Sequence, residues 1–372
     1  MPSRVLFLHS SAGLYGADLQ LLALAGGLQG RGWSARVVLP SSGPLADRLA
    51  SAGVDVVVHP LAVLRRRDLS AGGAARLVFK GVRDRAALAR FARECALVHS
   101  NTSVVLARVR GLPQVVHVRE IYAGAAGGMA ARAWPLWRRR LMRADARVCV
   151  SAAVAAQFDR RGTFVVHDGV APPLIHISPA MGGKVGSVPF RIAILGRIAD
   201  WKGQDVLVRA LAEPLLAEIG AQGVIAGDAY PGEPAPDIRA LARQLGVENR
   251  TEFTGFTLDP EQILASVDAV AVPSTRPDPL PNSAIEALAA GIPVVAANHG
   301  GLPEIVEHGR TGLLVPPGDP HALAKALREL ADDPERRARM GAAAAADASE
   351  RFGVERMLDE VEAVYASLGV RR

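Results

Sequence analysis

Apolar positions follow two rhythms along this chain: short unbroken runs, and longer stretches where they recur every three or four residues. The first rhythm predicts buried strands and the second predicts amphipathic helices. Arg4–Ser10 reads as a strand, Ser11-Ala12-Gly13-Leu14-Tyr15-Gly16 as a glycine loop and Ala17–Leu28 as a helix. Gly30 and Gly32 stop that helix, and Ser34–Pro40 is the next strand. Further strands are expected at Val54–His59, Leu97–Ser100, Gln114–Val118, Arg147–Ser151 and Thr163–His167, with a basic helix over Ala74–Arg93 and another helix over Ser103–Arg110. Strand–helix alternation of this kind argues for a parallel sheet with helices on both faces.

Residues 171–189 break the rhythm. The stretch APPLIHISPAMGGKVGSVP is rich in Pro and Gly, has no period and reads as a linker. Alternation resumes with strand Arg191–Gly196, helix Gln204–Ala212, strand Gly223–Ala226, helix Ala235–Leu245, strand Thr251–Thr254, helix Asp259–Ser266 and strand Ala269–Val272. After Gly312–Val315 and a helix over Pro320–Asp332, the tail Pro334–Leu368 is helical and amphipathic. The expected class is α/β in two domains. Residues 1–170 form the first, 171–189 the linker and 190–345 the second, and a helical segment over 346–372 crosses back to the first. A length of 372 residues suits two cores better than one.

Charge divides the same way. Residues 1–161 carry a net +15 and residues 162–372 a net −9. The basic part includes Trp134-Pro135-Leu136-Trp137-Arg138-Arg139-Arg140-Leu141-Met142-Arg143, and basic residues interleaved with Trp and Leu suit an anionic membrane surface. No nucleic-acid motif accompanies the charge, so nucleic acid is not an expected partner. Two cysteines, Cys95 and Cys149, supply neither a disulfide framework nor a metal spacing. A cytoplasmic setting, peripheral on the inner face of the plasma membrane, is the expectation. The N-terminal run Val5–Leu8 is too short for a signal peptide and no membrane span is expected.

Candidate chemistry gathers in Pro273–Glu304. It reads as a proline-stiffened loop, a short helix, a buried strand and a second glycine loop, His299-Gly300-Gly301-Leu302-Pro303-Glu304. Asp278 and Glu286 lie on either side of the loop-to-helix join, with Asn282 or Ser283 as the natural N-cap. The plain alternative for Glu286 is a capping box with Ser283, and for Asp278 a solvated turn. Upstream, Gly196-Arg197-Ile198-Ala199-Asp200-Trp201-Lys202-Gly203 joins a strand to a helix. Cations at a helix N-terminus oppose its dipole, so Arg197 and Lys202 fit a bound phosphate unless Asp200 or Asp205 pairs with them. His99 and His117 close two neighbouring strands at the sheet edge where open α/β folds bind ligands. There is no Asp-x-Asp triplet, no nucleophile elbow and no P-loop, so no metal, esterase or P-loop chemistry is implied.

At these residues the chain resembles glycosyltransferase family 4, whose fold, GT-B, is two facing Rossmann-like domains with an interdomain cleft. The resemblance rests on GRIADWKGQDVLVRAL, PDPLPNSAIEALAAGIPVVA and GGLPEIVEHGRTGLLVPPGD in that order. It implies a retaining transfer of a hexose-type sugar from a nucleoside-diphosphate sugar to a glycan, lipid-linked or small-molecule acceptor, without metal or cofactor. Arg197 and Lys202 look like the pair that neutralises the donor diphosphate, and Glu286 like the carboxylate that holds the ribose. Asp278 stands where the family usually has glutamate, and contacts the transferred sugar. Leu280, Asn282 and Ser283 fall in the same donor-binding turn. His117 looks like the histidine near the sugar's C6 hydroxyl, and Gly16 like the loop glycine facing the phosphates. As catalytic residues the resemblance implies His117, Asp278, Arg197 and Lys202.

The chain departs from the family at Asp278, one methylene shorter than glutamate, and at Pro279-Leu280-Pro281, where Gly-Phe-Gly is usual. Tyr15-Gly16 replaces a common Gly-Gly pair. Two other readings share the scaffold: a nucleotide-sugar 2-epimerase, and a degenerate protein that binds the sugar nucleotide without transferring it.

Overall fold

A computed structural model of the chain describes residues 3–65, 71–105, 107–122, 128–171, 189–230, 235–257 and 259–372, without the side chains of 71–79 and 128–132. The chain forms two units, one of residues 1–169 with 354–372 and the other of residues 170–353.

The first unit runs β1 (Arg4–Leu8), α1 (Gly16–Gly30), β2 (Ser34–Leu39), α2 (Pro44–Ser51), β3 (Asp55–Val58), α3 (Ala71–Phe91), β4 (Cys95–Ser100), β5 (Gln114–Val118), α4 (Gly128–Leu141), β6 (Ala146–Cys149), α5 (Ala152–Ala155) and β7 (Thr163–Val165). All the strand pairs are parallel, in the order β3-β2-β1-β4-β5-β6-β7. Runs such as Val5–Leu8 are wholly buried, as expected where helices cover both faces of a parallel sheet. The strand order reverses between β1 and β4, which makes their carboxyl ends the switch point of the sheet.

The second unit runs β8 (Arg191–Leu195), α6 (Gln204–Ala212), α7 (Pro214–Ala217), β9 (Gln222–Ala226), α8 (Ile238–Gln244), β10 (Thr251–Gly255), α9 (Pro260–Leu264), β11 (Ala269–Val272), α10 (Asn282–Ala289), β12 (Val294–Ala297), α11 (Leu302–Ile305), β13 (Gly312–Val315), α12 (Pro320–Asp332) and α13 (Pro334–Arg351). Its parallel sheet has the order β10-β9-β8-β11-β12-β13, with the reversal between β8 and β11.

Helix α14 (Val354–Ser367) returns to the first unit. Met357, Leu358, Val361, Val364 and Tyr365 form one stripe at helical spacing and are buried in the same core as Val5, Leu24 and Val37. At roughly 1.5–3 kcal/mol per buried large apolar side chain, that stripe is a substantial part of the unit's stability. Arg31 adds ion pairs to Asp359 (2.5 Å) and Glu362 (2.9 Å) on the same helix. The return begins at Val354 rather than at 346, because α13 stays with the second unit up to Arg351. Of the expected linker, 172–188 lies outside the described residues.

Two expected helices differ. Over Ser103–Arg110 no described residue is helical. Val105 makes an antiparallel bridge to Val63, and the Val104 carbonyl accepts from Leu64 N at 2.9 Å, so these β-branched residues serve an extended contact instead. The helix expected from Ala235 starts at Ile238, where the Asp237 carboxylate caps Ala240 N at 2.9 Å.

Candidate active site

Three loops of the second unit leave the carboxyl ends of the neighbouring strands β8, β11 and β12. They are held in register by specific contacts. Thr275 N donates to the Trp201 carbonyl at 2.8 Å, and Arg276 pairs with Asp200 at 2.7 Å. Gly203 has φ +85°, and a Cβ there would overlap the Pro273 carbonyl. Gly300 has φ +61°, and a Cβ there would overlap the backbone of Asp278. Both positions therefore need glycine for backbone shape and for space. Gly301 N donates to the Asp278 carbonyl at 2.8 Å, and the His299 Nε2–H donates to the Ser274 carbonyl at 2.7 Å.

This lock brings Lys202 and Asp278 together. Lys202 Nζ is 2.7 Å from Asp278 Oδ2, and Ser274 Oγ donates to the same oxygen at 3.2 Å. Asp278 is 3% exposed, so it is not a solvated turn residue. Lys202 also sits 4.5 Å from the centre of the Trp201 ring. Asp200 pairs with Arg276, so the alternative in which it neutralises Lys202 does not hold. Arg197 leaves the same β8 loop, with its guanidinium carbon 5.8 Å from the centre of the Tyr230 ring.

Helix α10 starts two residues earlier than a Ser283 cap requires. Its N-cap is Pro281, no side chain caps the first turn, and Asn282 and Ser283 are its first two helical residues. The expected cap by Asn282 or Ser283 is therefore not formed, because the fixed φ of Pro281 ends the loop there. The capping-box reading of Glu286 goes with it. Glu286 is half-buried and its carboxylate has no hydrogen-bond partner among the described residues. Burial pushes its pKa up to about 7. Leu280 is buried, while Asn282 and Ser283 remain partly accessible.

In the first unit, Gly16 is the exposed first residue of α1. His117, near the end of β5, is fully buried, and neither ring nitrogen has a partner among the described residues. Its ring stacks on that of His99 at 5.5 Å, and His99 Nδ1 shares a hydrogen bond with the Tyr365 hydroxyl at 2.6 Å. Burial first, then the charge of Arg119, pushes His99 down to about 3 and His117 well below its usual range. Both imidazoles are therefore neutral at physiological pH, so the His117 ring carries one donor and one acceptor nitrogen.

Sequence reasoning missed the polar network beside them. Asp18, buried in the first turn of α1, takes hydrogen bonds from His9 Nε2 (2.7 Å), Ser11 Oγ (2.5 Å) and Tyr15 N (2.9 Å). Burial alone would raise its pKa, but these partners outweigh it and the net shift is downward. Asn101 Nδ2 donates to His9 Nδ1 at 3.2 Å, and Arg119 links the Asn101 carbonyl (3.2 Å) to Asp168 (2.5 Å). His9, Asn101, Arg119 and Asp168 each lie just past the end of a strand: β1, β4, β5 and β7. A polar residue directly after β1, β4 and β5, and three positions after β7, was the available signal.

Two parallel sheets, each with its loops at a switch point, define the GT-B fold class. Comparison with known proteins agrees. Residues 189–333 match the family described as Glycosyl transferases group 1, and residues 16–169 match that described as Glycosyl transferase 4-like domain. The chain belongs to these group 1 glycosyltransferases, family 4. Among similar solved structures is the Anabaena protein Alr3699/HepE in complex with UDP-glucose, at TM-score 0.79 and 27% identity over 98% of this chain and 99% of that one. Sucrose-phosphate synthase from Thermosynechococcus elongatus, at 19% identity and TM-score 0.80 over 99% of both chains, shares the fold. A D-inositol 3-phosphate glycosyltransferase from Corynebacterium aurimucosum is 40% identical over 181 residues, 47% of this chain and 42% of that relative. An alpha-D-kanosaminyltransferase from Streptomyces kanamyceticus is 32% identical over 48% of this chain and 46% of its own. The match thus spans under half the length of these curated relatives.

Proposed function

We propose that this protein is a retaining glycosyltransferase that moves a hexose-type sugar from a nucleoside-diphosphate sugar to a hydroxyl of a glycan, lipid-linked or small-molecule acceptor, without a metal ion. The observation that carries this reading is the three-loop lock, which sets Lys202 against Asp278 at the switch point while leaving the Glu286 carboxylate unpartnered. Glu286 is suited to accept from ribose hydroxyls, since a half-buried carboxylate gains from donors it otherwise lacks. Arg197 and Lys202 meet the charge that develops on the departing diphosphate. The uncapped first turn of α10 adds backbone donors at Asn282 and Ser283. His117 supplies a neutral imidazole for a sugar hydroxyl, and Gly16 starts α1 without a side chain. In a retaining front-face path, a donor phosphate oxygen takes the acceptor proton as the new bond forms on the face from which the diphosphate leaves.

The test is a panel of UDP- and GDP-sugars, with nucleotide release followed with and without cell-envelope extract. Release that depends on extract supports transfer. Epimer formed without extract overturns transfer in favour of isomerisation, and binding without turnover identifies a degenerate site.

A membrane-facing role for the first unit has its own support. In α4, Leu136, Arg139 and Arg140 follow helical spacing, with Arg143 in the turn just after the helix, and Leu136 is 75% exposed. Arg140's pKa falls, by burial first and then by Arg108 and Arg143. Arg108, Arg139 and Arg143 are exposed and meet no acid among the described residues. Arg138 is different, since it pairs with Asp159 at 2.6 Å and donates to the Gln157 carbonyl at 2.9 Å. A triple Arg108, Arg139, Arg143→Gln variant should lose salt-sensitive binding to phosphatidylglycerol vesicles, and undiminished binding would refute the assignment.

A further inference from the structure

The ion pair between Lys202 and Asp278 joins two groups that the donor would use separately. Lys202 sits opposite the diphosphate in the proposed reading, and Asp278 opposite the sugar. Asp278 Oδ2 accepts from both Lys202 (2.7 Å) and Ser274 (3.2 Å), and its side chain is 5% exposed. Lys202 is otherwise flanked by the Trp201 ring, and is itself only 22% exposed. A diphosphate brought to Lys202 competes with the Asp278 carboxylate for its charge, because two anions held against one ammonium repel each other. The backbone of Asp278 is fixed from the other side by Gly300 and Gly301, so the aspartate cannot retreat with its loop. Only its short side chain can turn.

We propose that the Lys202–Asp278 pair is a latch that the donor's diphosphate opens, and that opening it frees Asp278 to accept from the sugar. This deepens the donor-site reading and rests on it. Phosphate recognition and sugar recognition are then coupled through one bond, and the coupling is reciprocal. The aspartate in place of glutamate acquires a purpose: it is the length that reaches Lys202 in this loop. A nucleoside monophosphate, lacking the second phosphate, leaves the latch closed.

Calorimetric titration of UDP, GDP, UMP and GMP tests this. The nucleoside diphosphate that binds the wild type more tightly is the probe, with the matching monophosphate as control. In Asp278→Asn, where Lys202 no longer has an anionic partner, the diphosphate should bind about tenfold more tightly and the monophosphate unchanged. The gain should disappear in the Lys202→Gln background. Asp200→Asn, which removes a charge from the neighbouring loop, should produce no such gain. Equal diphosphate affinity in Asp278→Asn and wild type overturns the latch, as does an equal gain in Asp200→Asn. If neither diphosphate binds the wild type, the donor-site reading itself fails, which is a distinct result. A crystal structure of the wild type with the diphosphate gives an independent measure. Lys202 Nζ should lie beyond hydrogen-bond distance of Asp278, and a pair still at its present separation would overturn the proposal even if the variant does not fold.

Discussion

In the proposed reading Glu286 is kept for ligand at a cost to the fold, and that cost is measurable. Its carboxyl rises from an ordinary 4.5 to about 7 because burial disfavours the anion and no donor offsets it. A carboxyl whose folded-state pKa is raised stabilises the fold below its unfolded pKa, and that contribution is lost as pH rises through the folded value. Relative to a neutral amide at the same position, the penalty works out at about 0.8 kcal/mol near pH 5 and about 3 kcal/mol near pH 8. Partial accessibility of the side chain lowers the upper figure to about 2 kcal/mol. Glu286→Gln should therefore raise the melting temperature of the second unit by about 4–8 °C at pH 8, with most of the gain absent at pH 5. The same substitution should weaken nucleoside diphosphate binding about tenfold or more, because the charged acceptor is gone. Differential scanning fluorimetry at the two pH values, beside a binding titration, reads both effects. A melting temperature unchanged at pH 8, or raised equally at both, would mean that the carboxyl is already solvated or paired. The ribose assignment would then lose its physical basis.

Three further outcomes follow from the site. Lys202→Ala should cut donor turnover at least about a hundredfold, or about 2.7 kcal/mol at the transition state, and near-normal turnover in a steady-state assay would remove Lys202 from the phosphate site. Activity should persist in excess EDTA, because the proposed charge stabilisation comes from Arg197 and Lys202; loss that manganese restores would overturn that mechanism. Gly300→Ala should both destabilise the second unit, by about 1–3 kcal/mol in a denaturant titration, and lower activity, because the residue has positive φ and abuts the Asp278 backbone. An alanine variant with wild-type stability and rate would show that the glycine loop does not set the position of Asp278.

The fold was largely legible because a buried parallel strand announces itself as an unbroken apolar run. Val5–Leu8, Ala269–Val272 and Val294–Ala297 are all strands of this kind. Helix ends were harder. Pro281 caps α10 two residues before the expected Ser283 cap, and Asp237 starts α8 after the first residues of its expected span. Such choices depend on which turn the neighbouring loop imposes, and that is a tertiary fact. Val104 and Val105 show the same limit, since their extended contact partners, Val63 and Leu64, lie about forty residues upstream, too far for local periodicity to register. In the site, residue types were legible and pairings were not. Lys202 and Asp278 stood out separately, yet their bond spans 76 positions and is created by two glycines.

Those glycines explain why the candidate-site loops of the second unit needed structure to be understood, while the polar edge of the first could have been found by spacing. In the first unit the residues His9, Asn101, Arg119 and Asp168 come one or a few positions after their strands, so sheet registration alone brings them together. Leu8 opposes Ser100 across β1 and β4, and Asn101 N then donates to the Leu8 carbonyl at 2.9 Å. In the second unit the two paired candidate side chains stand well beyond their strand ends: Lys202 seven residues after Leu195, and Asp278 six after Val272. Loops of that length have no register of their own. Gly203 against Pro273 and Gly300 against Asp278 supply it, by allowing backbone to touch backbone where any side chain would hold the loops apart. The chemistry of this site is therefore specified twice, once by the charged residues and once by the positions that have no side chain at all.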